Sequence, residues 1–590
     1  MTLAMMLSGA IAGPLTPIGR WLGRRLWWIE HGFERARASD KAVDDTRLRI
    51  FFVAALFGAG FVTLGLGATR GAVFSPYGHG GGRLAADAGG RADLVDRNGL
   101  VLSMDTPRYG LYLDPHEIVH KADVRAALAP LLGPADVAKL DRALAGERPA
   151  YVAGALTHDQ RDAIHDLALP GITFAEESGR DFPLGPLAAH VIGFTSMDGA
   201  GLAGAERAFN SQLRAGRDPV PLSIDLRVQG ALEDEVDQAA AALQVQDAVG
   251  LVVNVRTGEI LGMASWPSFD ASQADKADPA TMVNHAAATV YEPGSVMKVF
   301  TLAMGIDSGL ATPDTVFDVR TPLVIGDRVI HDFEGGPPTL TLTQVFTHSS
   351  NVGAARLGLE AGSERMARYY KGFGLFDAAP GVLVESARPL TARQLSPTTV
   401  ASMSFGHAIS VSPLAIATGM SAILNGGVYR PLTLRKLAPG QAPAPGRRVI
   451  QESTSQTMLQ LMRLNVMQGT GAKANVPGLR VGGKTGTATK IVGGHYVEGR
   501  NAANLASFAA IFPTDAPIGA DRYFVLIMMD APKANAADGG VTTAAMTAAP
   551  AAARVIERIA PFVGVGRVIE PSDLQAKPTP DAALLGAHEQ

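Results

Sequence analysis

The sequence predicts an α+β protein of several domains, attached to a membrane by a single N-terminal transmembrane helix. Its 590 residues are too many for one compact core, at roughly 150 residues per domain. An uncharged run of 19 residues at 50–68 has the length of a membrane-spanning helix. Beyond that run, strand-like apolar stretches alternate with amphipathic helical ones. Together these features indicate one membrane anchor followed by a folded body that contains both helices and sheets.

The segment 50–68 is predicted to be a retained transmembrane helix. At about 1.5 Å per residue, a helix of this length crosses a hydrocarbon core of roughly 30 Å. The twenty positions before the segment hold more basic residues than the twenty after it: Arg35, Arg37, Lys41, Arg47 and Arg49, against Arg70 and Arg83. This bias places the tail 1–49 in the cytoplasm and the rest of the chain outside. A buried soluble helix and a cleaved signal sequence are the alternatives.

The remaining chain divides by composition into four segments. Residues 69–90 are rich in glycine and predict a flexible tether. Residues 91–219 mix short strand-like and helical patterns, which predicts a separate domain. A change of composition near Pro219 opens the largest domain, 220–565, and the polar, proline-bearing residues 566–590 predict a loose C-terminal tail.

Composition excludes several functional classes. The formal charge is -4, from 52 basic and 56 acidic residues, so the chain has no overall electrostatic footprint for nucleic acid. There is no cysteine, which excludes a thiolate nucleophile, cysteine-ligated zinc and disulfides. The histidines show no H-E-x-x-H-like spacing, and we interpret His116 and His120 as an exposed pair. We therefore predict no metal site and no cofactor.

Four apolar runs of the largest domain predict strands of one antiparallel sheet. The first two runs are joined by a short glycine-containing connection that is typical of a hairpin. A further stretch, 222–243, is expected to be a strand that feeds an amphipathic helix. The four strand runs are residues 248–255, 260–265, 505–512 and 523–529.

The segment Y-E-P-G-S-V-M-K at 291–298 opens an apolar helical stretch and contains Ser295 and Lys298. Residues three apart lie on one face of a helix, so the lysine amine is expected beside the serine hydroxyl. A lysine acts as a base only if burial or a second cation lowers its pKa. Because S-x-x-K recurs by chance, the motif needs support from others.

Two further motifs follow the first in order: Ser349-Ser350-Asn351, on a loop or helix start, and Lys484-Thr485-Gly486-Thr487, on a strand. Each alone reads equally well as a helix cap or a turn. Together, S-x-x-K, S-x-N and K-T-G form the known signature of penicillin-binding proteins and class A β-lactamases, so the match is a resemblance to that signature.

The sequence resembles the class B penicillin-binding proteins, membrane-anchored D,D-transpeptidases that crosslink bacterial peptidoglycan, over roughly residues 50–560. The S-x-N motif ends in Asn351, which resembles the cell-division type, whereas the elongation type usually ends it in Asp. Ala92 stands where the family usually has glycine, so the entry turn is expected to differ slightly. Further matching segments are residues 91–99, 183–190, 199–206, 257–259 and 264–265.

The resemblance implies an architecture and a partner set. Residues 91–219 would form an elongated mixed α/β pedestal domain of the dimerisation type, and residues 220–565 a transpeptidase domain with a central antiparallel five-stranded sheet flanked by helices. The implied ligands are peptidoglycan stem peptides and β-lactams. No binding of nucleic acid is expected. The implied place is the bacterial inner membrane, with a periplasmic catalytic domain at the division septum beside a multi-span glycosyltransferase and other division proteins.

The resemblance also implies roles for the motif residues. Ser295 would be the nucleophile, Lys298 its base, Ser349 a proton relay, and Asn351 a hydrogen-bonding partner of Lys298 and of the substrate. The substrate-binding residues would be Lys484, Thr485, Gly486 and Thr487. The backbone N–H groups of Ser295 and Thr487 would form the oxyanion hole. His348 and His407, near these motifs, are interpreted as structural.

Several alternatives remain open at this point. They are an elongation-type transpeptidase, a carboxypeptidase that lets water attack, a β-lactam sensor or hydrolase, and a catalytically idle membrane scaffold of the division machinery. A hydrolase needs a residue that activates water, and we identify none in the sequence. A scaffold has no need of the motif serines and lysines, which argues against it.

Overall fold

The structure is a computed structural model that describes Phe57 and residues 90–568, except 197–198, 327, 333–336, 381, 493–494, 497–502 and 534–541. The predicted cytoplasmic tail, the tether up to residue 89, residues 569–590 and all of the predicted transmembrane helix except Phe57 lie outside the described residues. Within the described part of the chain, no helix combines the length and apolarity that a bilayer crossing requires.

The N-terminal region, which we define as residues 90–221, contains a mixed sheet. The sheet follows the order β3-β2-β1-β5, with β4 paired to β2, and β1 runs parallel to β5 while the other pairs are antiparallel. Six helices accompany it. The strands are β1 Leu94–Val95, β2 Val101–Leu113, β3 Ala150–Leu156, β4 Ile172–Asp181 and β5 Val220–Pro221; the helices are α1 Lys121–Leu128, α2 Pro134–Ala145, α3 His158–His165, α4 Ala189–Ile192, α5 Gly204–Ala208 and α6 Asn210–Ala215.

A buried ion cluster holds the start of this region. The Glu206 carboxylate is fully buried and lies 2.5 Å from Arg91 Nε and 2.8 Å from Arg180 Nε. Ser103 Oγ donates to the same carboxylate at 2.6 Å. Because buried charges are stable only when paired and hydrogen-bonded, this cluster joins β2, β4 and α5 into one unit. Ala92, beside it, is buried, and its N–H donates to Leu213 O at 2.8 Å.

The C-terminal region, residues 222–568, is built on a five-stranded sheet of order β16-β19-β20-β6-β7. Every neighbouring pair in it is antiparallel. The four strands predicted from apolar runs are confirmed to within one residue at each end. The strands are β6 Asp247–Asn254, β7 Ile260–Trp266, β16 Gly482–Thr489, β19 Asn504–Phe512 and β20 Tyr523–Asp530.

Both faces of this sheet are buried, which explains why its strands read as continuous apolar runs. Along β6, Val249 and Leu251 face one hydrophobic core, whereas Ala248 and Val252 face a second one. The second core is covered by α7 Leu226–Leu243 and α15 Ala548–Ile559. The first core is covered by α9 Lys298–Asp307, which begins at a motif lysine, and by α13 Pro413–Leu424 and α14 Glu452–Gln468.

One prediction at the start of this region is wrong in position. The strand expected at the beginning of 222–243 is instead β5, which ends at Pro221 and pairs with β1. Leu222 N–H still donates to Val95 O of β1 at 2.8 Å. Residues 222 and 223 also bond to a second segment, because Leu222 forms an isolated bridge with Arg435 and Ser223 N–H donates to Leu434 O at 2.7 Å. The predicted helix follows as α7, capped by Asp225, whose side chain accepts from Arg227 N–H.

The remaining elements are short except for the helix Asn351–Gly372, which is interrupted at Gly362, where the backbone φ is 76°. They surround the sheet and the motif-bearing helices. The strands are β8 Val316–Asp318, β9 Leu323–Ile325, β10 Arg328–Ile330, β11 Thr339–Thr341, β12 Leu390–Thr391, β13 Ile409–Ser410, β14 Val428–Tyr429, β15 Arg447–Arg448, β17 Ile491–Val492 and β18 His495–Tyr496; the helices are α8 His285–Ala288, α10 Leu342–Thr347, α11 Asn351–Gly372 and α12 Pro397–Met403.

Candidate active site

Ser295 lies on a 3-10 turn, Gly294–Met297, that continues into α9 at Lys298. The prediction of a helix start at this motif is therefore confirmed, with a tighter first turn. Ser295 is half-buried, and its hydroxyl has no hydrogen-bond partner among the residues that the structure describes. The Lys298 amine is hydrogen-bonded to the S-x-N turn and not to the Ser295 hydroxyl.

The nucleophile turn is fixed from two sides by close backbone packing. Gly294 N–H donates to Gly406 O at 3.2 Å, and a Cβ atom on Gly406 would lie 2.0 Å from Gly294 O. On the other side, a Cβ atom on Gly486 would lie 2.7 Å from Pro293 O. Only glycine permits these approaches. The glycine of K-T-G therefore brings β16 against the turn that carries Ser295.

His407 has the structural role that the sequence predicts. Its Nδ1 lies 3.2 Å from Glu292 Oε2, and Glu292 Oε1 accepts from Ala408 N–H at 2.9 Å. Glu292 belongs to the segment that enters the nucleophile turn, so these bonds tie that segment to residues 407–408. His348, in contrast, is exposed.

The Lys298 amine is fully buried and contacts three oxygen atoms of the S-x-N turn. It lies 3.1 Å from Ser349 Oγ and 2.8 Å from Asn351 Oδ1, and it also donates to Ser349 O. The Ser349 carbonyl can point at the amine because Ser349 has φ of 61°, in the left-handed region. The first two motifs thus form one hydrogen-bonded cluster.

The Lys484 amine enters the same cluster from β16. It is fully buried, donates to Ser349 Oγ at 2.9 Å and to Thr485 O at 3.1 Å, and lies 5.8 Å from the centre of the Phe346 ring. The Ser349 hydroxyl therefore lies between two lysine amines. A hydroxyl can accept from one amine while donating to the other, so this arrangement can carry a proton.

The electrostatics match the requirement stated for a lysine base. Burial lowers the pKa of Lys298 far below its ordinary value, the Lys484 amine lowers it further, and the Asp332 carboxylate opposes both effects. Burial also lowers the pKa of Lys484, to about 7. Both of the conditions named for a lysine base, burial and a nearby second cation, are therefore present at Lys298.

The other residues of K-T-G-T take different positions. Thr485 is almost fully buried, and its hydroxyl is hydrogen-bonded to the Thr470 hydroxyl at 2.7 Å. Thr487 is half-buried, and its hydroxyl accepts from Ala544 N–H at 3.1 Å. Gly486 provides the close approach to the nucleophile turn described above. All four predicted substrate-binding residues therefore lie on one strand beside Ser295.

Sequence reasoning missed three residues that support the motifs. Asp332 binds the start of α11, and Asn465 donates to Gly483 O at 2.8 Å. Thr470 is hydrogen-bonded to Thr485 and donates to Asn465 Oδ1 at 3.3 Å. None lies in a local pattern that indicates a site, since each acts on a motif distant in sequence. Among the described residues, no group of three or more acidic or histidine side chains could hold a metal ion.

Comparison with known proteins agrees with this geometry. Residues 248–551 match the family model described as penicillin binding protein transpeptidase domain, and residues 86–220 match the penicillin-binding protein dimerisation domain. The chain is 50% identical to the probable peptidoglycan D,D-transpeptidase FtsI of Caulobacter vibrioides, over 99% of this chain and 100% of the relative. It is 31% identical to peptidoglycan D,D-transpeptidase FtsI of Escherichia coli K12, over 77% of this chain and 81% of the relative.

A solved structure has the same fold. The crystal structure of penicillin-binding protein 3 from Mycobacterium tuberculosis, complexed with aztreonam, superposes with a TM-score of 0.63 at 27% identity, covering 81% of this chain and 97% of that one. The chain belongs to the penicillin-binding protein family, as a class B member of the cell-division type.

Proposed function

We propose that Ser295 forms the acyl-enzyme of a peptidoglycan D,D-transpeptidase that crosslinks stem peptides during cell division. The chain is a serine-type D-Ala-D-Ala transpeptidase. The observation that carries the role of Ser295 is the meeting of two buried lysine amines at one hydroxyl, 3.1 Å and 2.9 Å from Ser349 Oγ, beside the turn that bears Ser295. Since burial lowers the pKa of both amines, a base can exist there at neutral pH.

In the acylation step, Ser295 Oγ attacks the carbonyl carbon of the penultimate D-Ala and the Lys298 amine takes its proton. The peptide C–N bond then breaks, and the departing D-Ala amine receives a proton through Ser349. The hydrogen bonds of Ser349 Oγ to Lys298 and Lys484 support this relay. In the second step, an acceptor amine attacks the Ser295 ester, gives up a proton by the same path and releases the serine.

Recognition of the substrate is assigned to β16. Lys484 would pair with the terminal carboxylate, with the hydroxyls of Thr485 and Thr487 as further donors. The backbone N–H groups of Ser295 and Thr487 would bind the oxyanion that develops on the attacked carbonyl oxygen. The close packing of Gly486 against Pro293 supports this assignment, since it holds the two backbones side by side.

The cellular setting follows the family. We place the chain in the bacterial inner membrane, anchored by residues 50–68, with tail 1–49 cytoplasmic and the catalytic domain periplasmic at the septum. We propose that residues 69–90 form a tether, 91–219 the pedestal domain, 220–565 the transpeptidase domain and 566–590 a tail. We also propose a multi-span glycosyltransferase and other division proteins as partners. The elongation and scaffold alternatives are not favoured, because the two relatives described above are FtsI proteins and the site's motifs are intact.

The test is covalent labelling of the detergent-extracted full-length protein with a reporter penicillin, read by intact mass and peptide mapping. We expect one adduct on Ser295 in the wild type and none in Ser295→Ala. Ser308→Ala is the matched control, because Ser308 lies at the end of the same helix and donates only to backbone carbonyls there. An adduct that persists in Ser295→Ala, or a wild type that stays unlabelled both in detergent and in native membranes, would contradict the proposal.

A further inference from the structure

Asp332, which follows β10, binds the first turn of α11 through both carboxylate oxygens. Its Oδ1 accepts from Asn351 N–H at 2.5 Å and from Val352 N–H at 3.0 Å. Its Oδ2 accepts from the Ser350 hydroxyl. The first N–H groups of a helix have no partner inside the helix and carry its positive end, so a carboxylate is well suited to them.

Ser350 completes this anchor. Its side chain is buried and also accepts from Gly353 N–H at 2.9 Å, which makes it the N-cap of α11. Asp332 and Ser350 together therefore satisfy three consecutive backbone N–H groups. The turn that carries Ser349 and Asn351 is therefore held by Asp332, which lies outside the motif, and by Ser350, which lies within it.

The side chain of Asn351 is oriented by the same segment. Its Oδ1 accepts from Lys298 Nζ at 2.8 Å, and its Nδ2 donates to the carbonyl oxygen of His331 at 3.4 Å. His331 immediately precedes Asp332. The two residues thus fix both the backbone and the amide orientation of Asn351, on which the position of the Lys298 amine depends.

The charge of Asp332 acts on the same amine. The neighbours that hydrogen-bond to the Lys298 amine, Ser349 and Asn351, are neutral. Among the residues that the structure describes, two charged groups influence it: Lys484, from β16, lowers the pKa of Lys298, and Asp332 raises it. The two charges act in opposite directions on the proton that must leave Lys298 before it can act as a base.

We propose that Asp332 is a positioning residue of the transpeptidase site, which holds the S-x-N turn against Lys298 through its hydrogen bonds and sets the protonation of Lys298 through its charge. This inference rests on the proposed role of Ser295 and Lys298. Asp332, which lies outside the three motifs, thereby influences both the rate and the pH dependence of acylation.

The test is the second-order rate of Ser295 acylation by the reporter penicillin, measured against pH on the full-length protein in detergent. Asp332→Asn keeps an oxygen acceptor for the two backbone N–H groups and removes the charge. Ser350→Ala keeps the charge and removes two hydrogen bonds of the anchor, the one to Asp332 and the one from Gly353 N–H. Asp318→Asn is the matched control, since the exposed Asp318 also accepts from a backbone N–H, that of Arg320, outside the site.

For Asp332→Asn we expect the acid limb of the profile to move to lower pH, because loss of the negative charge favours the neutral Lys298 amine. For Ser350→Ala we expect the limb to stay in place and the plateau rate to fall about tenfold, since misplacement of a catalytic group lowers the rate without changing its charge. Asp318→Asn should leave both limb and plateau unchanged.

The proposal is overturned if the acid limb of Asp332→Asn stays at the wild-type position or moves to higher pH. If that variant does not fold, judged by its thermal unfolding, Asp332→Glu decides, because it keeps the charge and displaces the oxygens. In Asp332→Glu the acid limb of the pH profile should stay at the wild-type position, and the plateau of the acylation rate should fall. An acid limb that moves to lower pH in this variant would contradict the role of the charge. A failure of the underlying function is distinguishable, because then the wild type carries no adduct on Ser295.

Discussion

The Ser349 hydroxyl lies between two buried amines, and its role depends on how they share their protons. Lys484 donates to it at 2.9 Å, and Lys298 lies 3.1 Å away on the other side. With Lys484 charged and Lys298 neutral, Ser349 accepts from the first and donates to the second, which is the state that the acylation chemistry requires. The pKa of Lys298 is lowered by burial and then by Lys484, so the arrangement itself favours this state.

At the residue scale, we predict that Lys484→Ala lowers the second-order rate of acylation by a reporter penicillin about 100-fold at pH 7. The variant loses the cation that would pair with the carboxylate of the bound penicillin. Truncating one partner of a buried charge pair costs about 2 to 5 kcal/mol. Lys371→Ala, at the exposed end of α11, is the control. A Lys484→Ala rate within threefold of the wild type, on the order of experimental error in such rates, would remove Lys484 from substrate binding.

At the element scale, the nucleophile turn is held between β16 and the segment around Gly406, and neither contact tolerates a side chain. We predict that Gly406→Ala, where φ is 95° and a Cβ would meet Gly294 O at 2.0 Å, displaces the turn and lowers the acylation rate at least about tenfold. Gly309→Ala is the matched control, since Gly309 also has positive φ, 72°, but has open space around it.

Both glycine variants should lose thermal stability, because alanine is strained at positive φ by about 1 to 3 kcal/mol. Only Gly406→Ala should lose acylation rate. Equal rates in the two variants would show that the contact between Gly406 and Gly294 does not position Ser295. The measurement is reporter-penicillin labelling at matched fractions of folded protein.

At the scale of the whole molecule, the central sheet contains two carboxylates opposite each other, Asp247 on β6 and Asp530 on β20. Tyr291, which precedes the nucleophile turn, donates to Asp247 at 2.7 Å, and Lys490, which follows β16, lies 2.6 Å from Asp530. Burial and then the neighbouring Asp247 raise the pKa of Asp530 to about 6. This pair therefore links the sheet to Tyr291, before the nucleophile turn, and to Lys490, after β16.

The sign of the resulting pH dependence follows from the raised pKa. Between the unfolded value, 3.8, and about 6, the folded state holds a proton on Asp530 that the unfolded state has lost, so stability falls as pH rises through this window. We predict that the melting temperature of Asp530→Asn minus that of the wild type is more positive at pH 7.5 than at pH 4.5, by a few degrees. The exposed Asp314→Asn should give the same difference at both pH values. A difference for Asp530→Asn that does not change with pH would contradict the cost assigned to this charge.

The sequence by itself determined the motif residues, their order and the strands of the central sheet, because these depend on local patterns. A strand buried on both faces must be apolar throughout, which made residues 248–255 and 523–529 recognisable. A serine and a lysine three residues apart at a helix start are likewise visible without any fold. The need of Lys298 for burial or a second cation could also be stated in advance, since it follows from the chemistry of a lysine base.

Only the tertiary structure decided which groups hold the site together. Lys298 is hydrogen-bonded to the S-x-N turn and not to Ser295, Asp332 binds the start of α11, and Gly406 lies against Gly294. Each of these contacts joins residues that are distant along the chain, and a hydrogen bond or a van der Waals approach depends on where packing brings the two atoms. Residue type and spacing report the periodicity of one segment at a time, so they identify the reacting groups, whereas the packing of segments fixes their distances, their burial and their protonation.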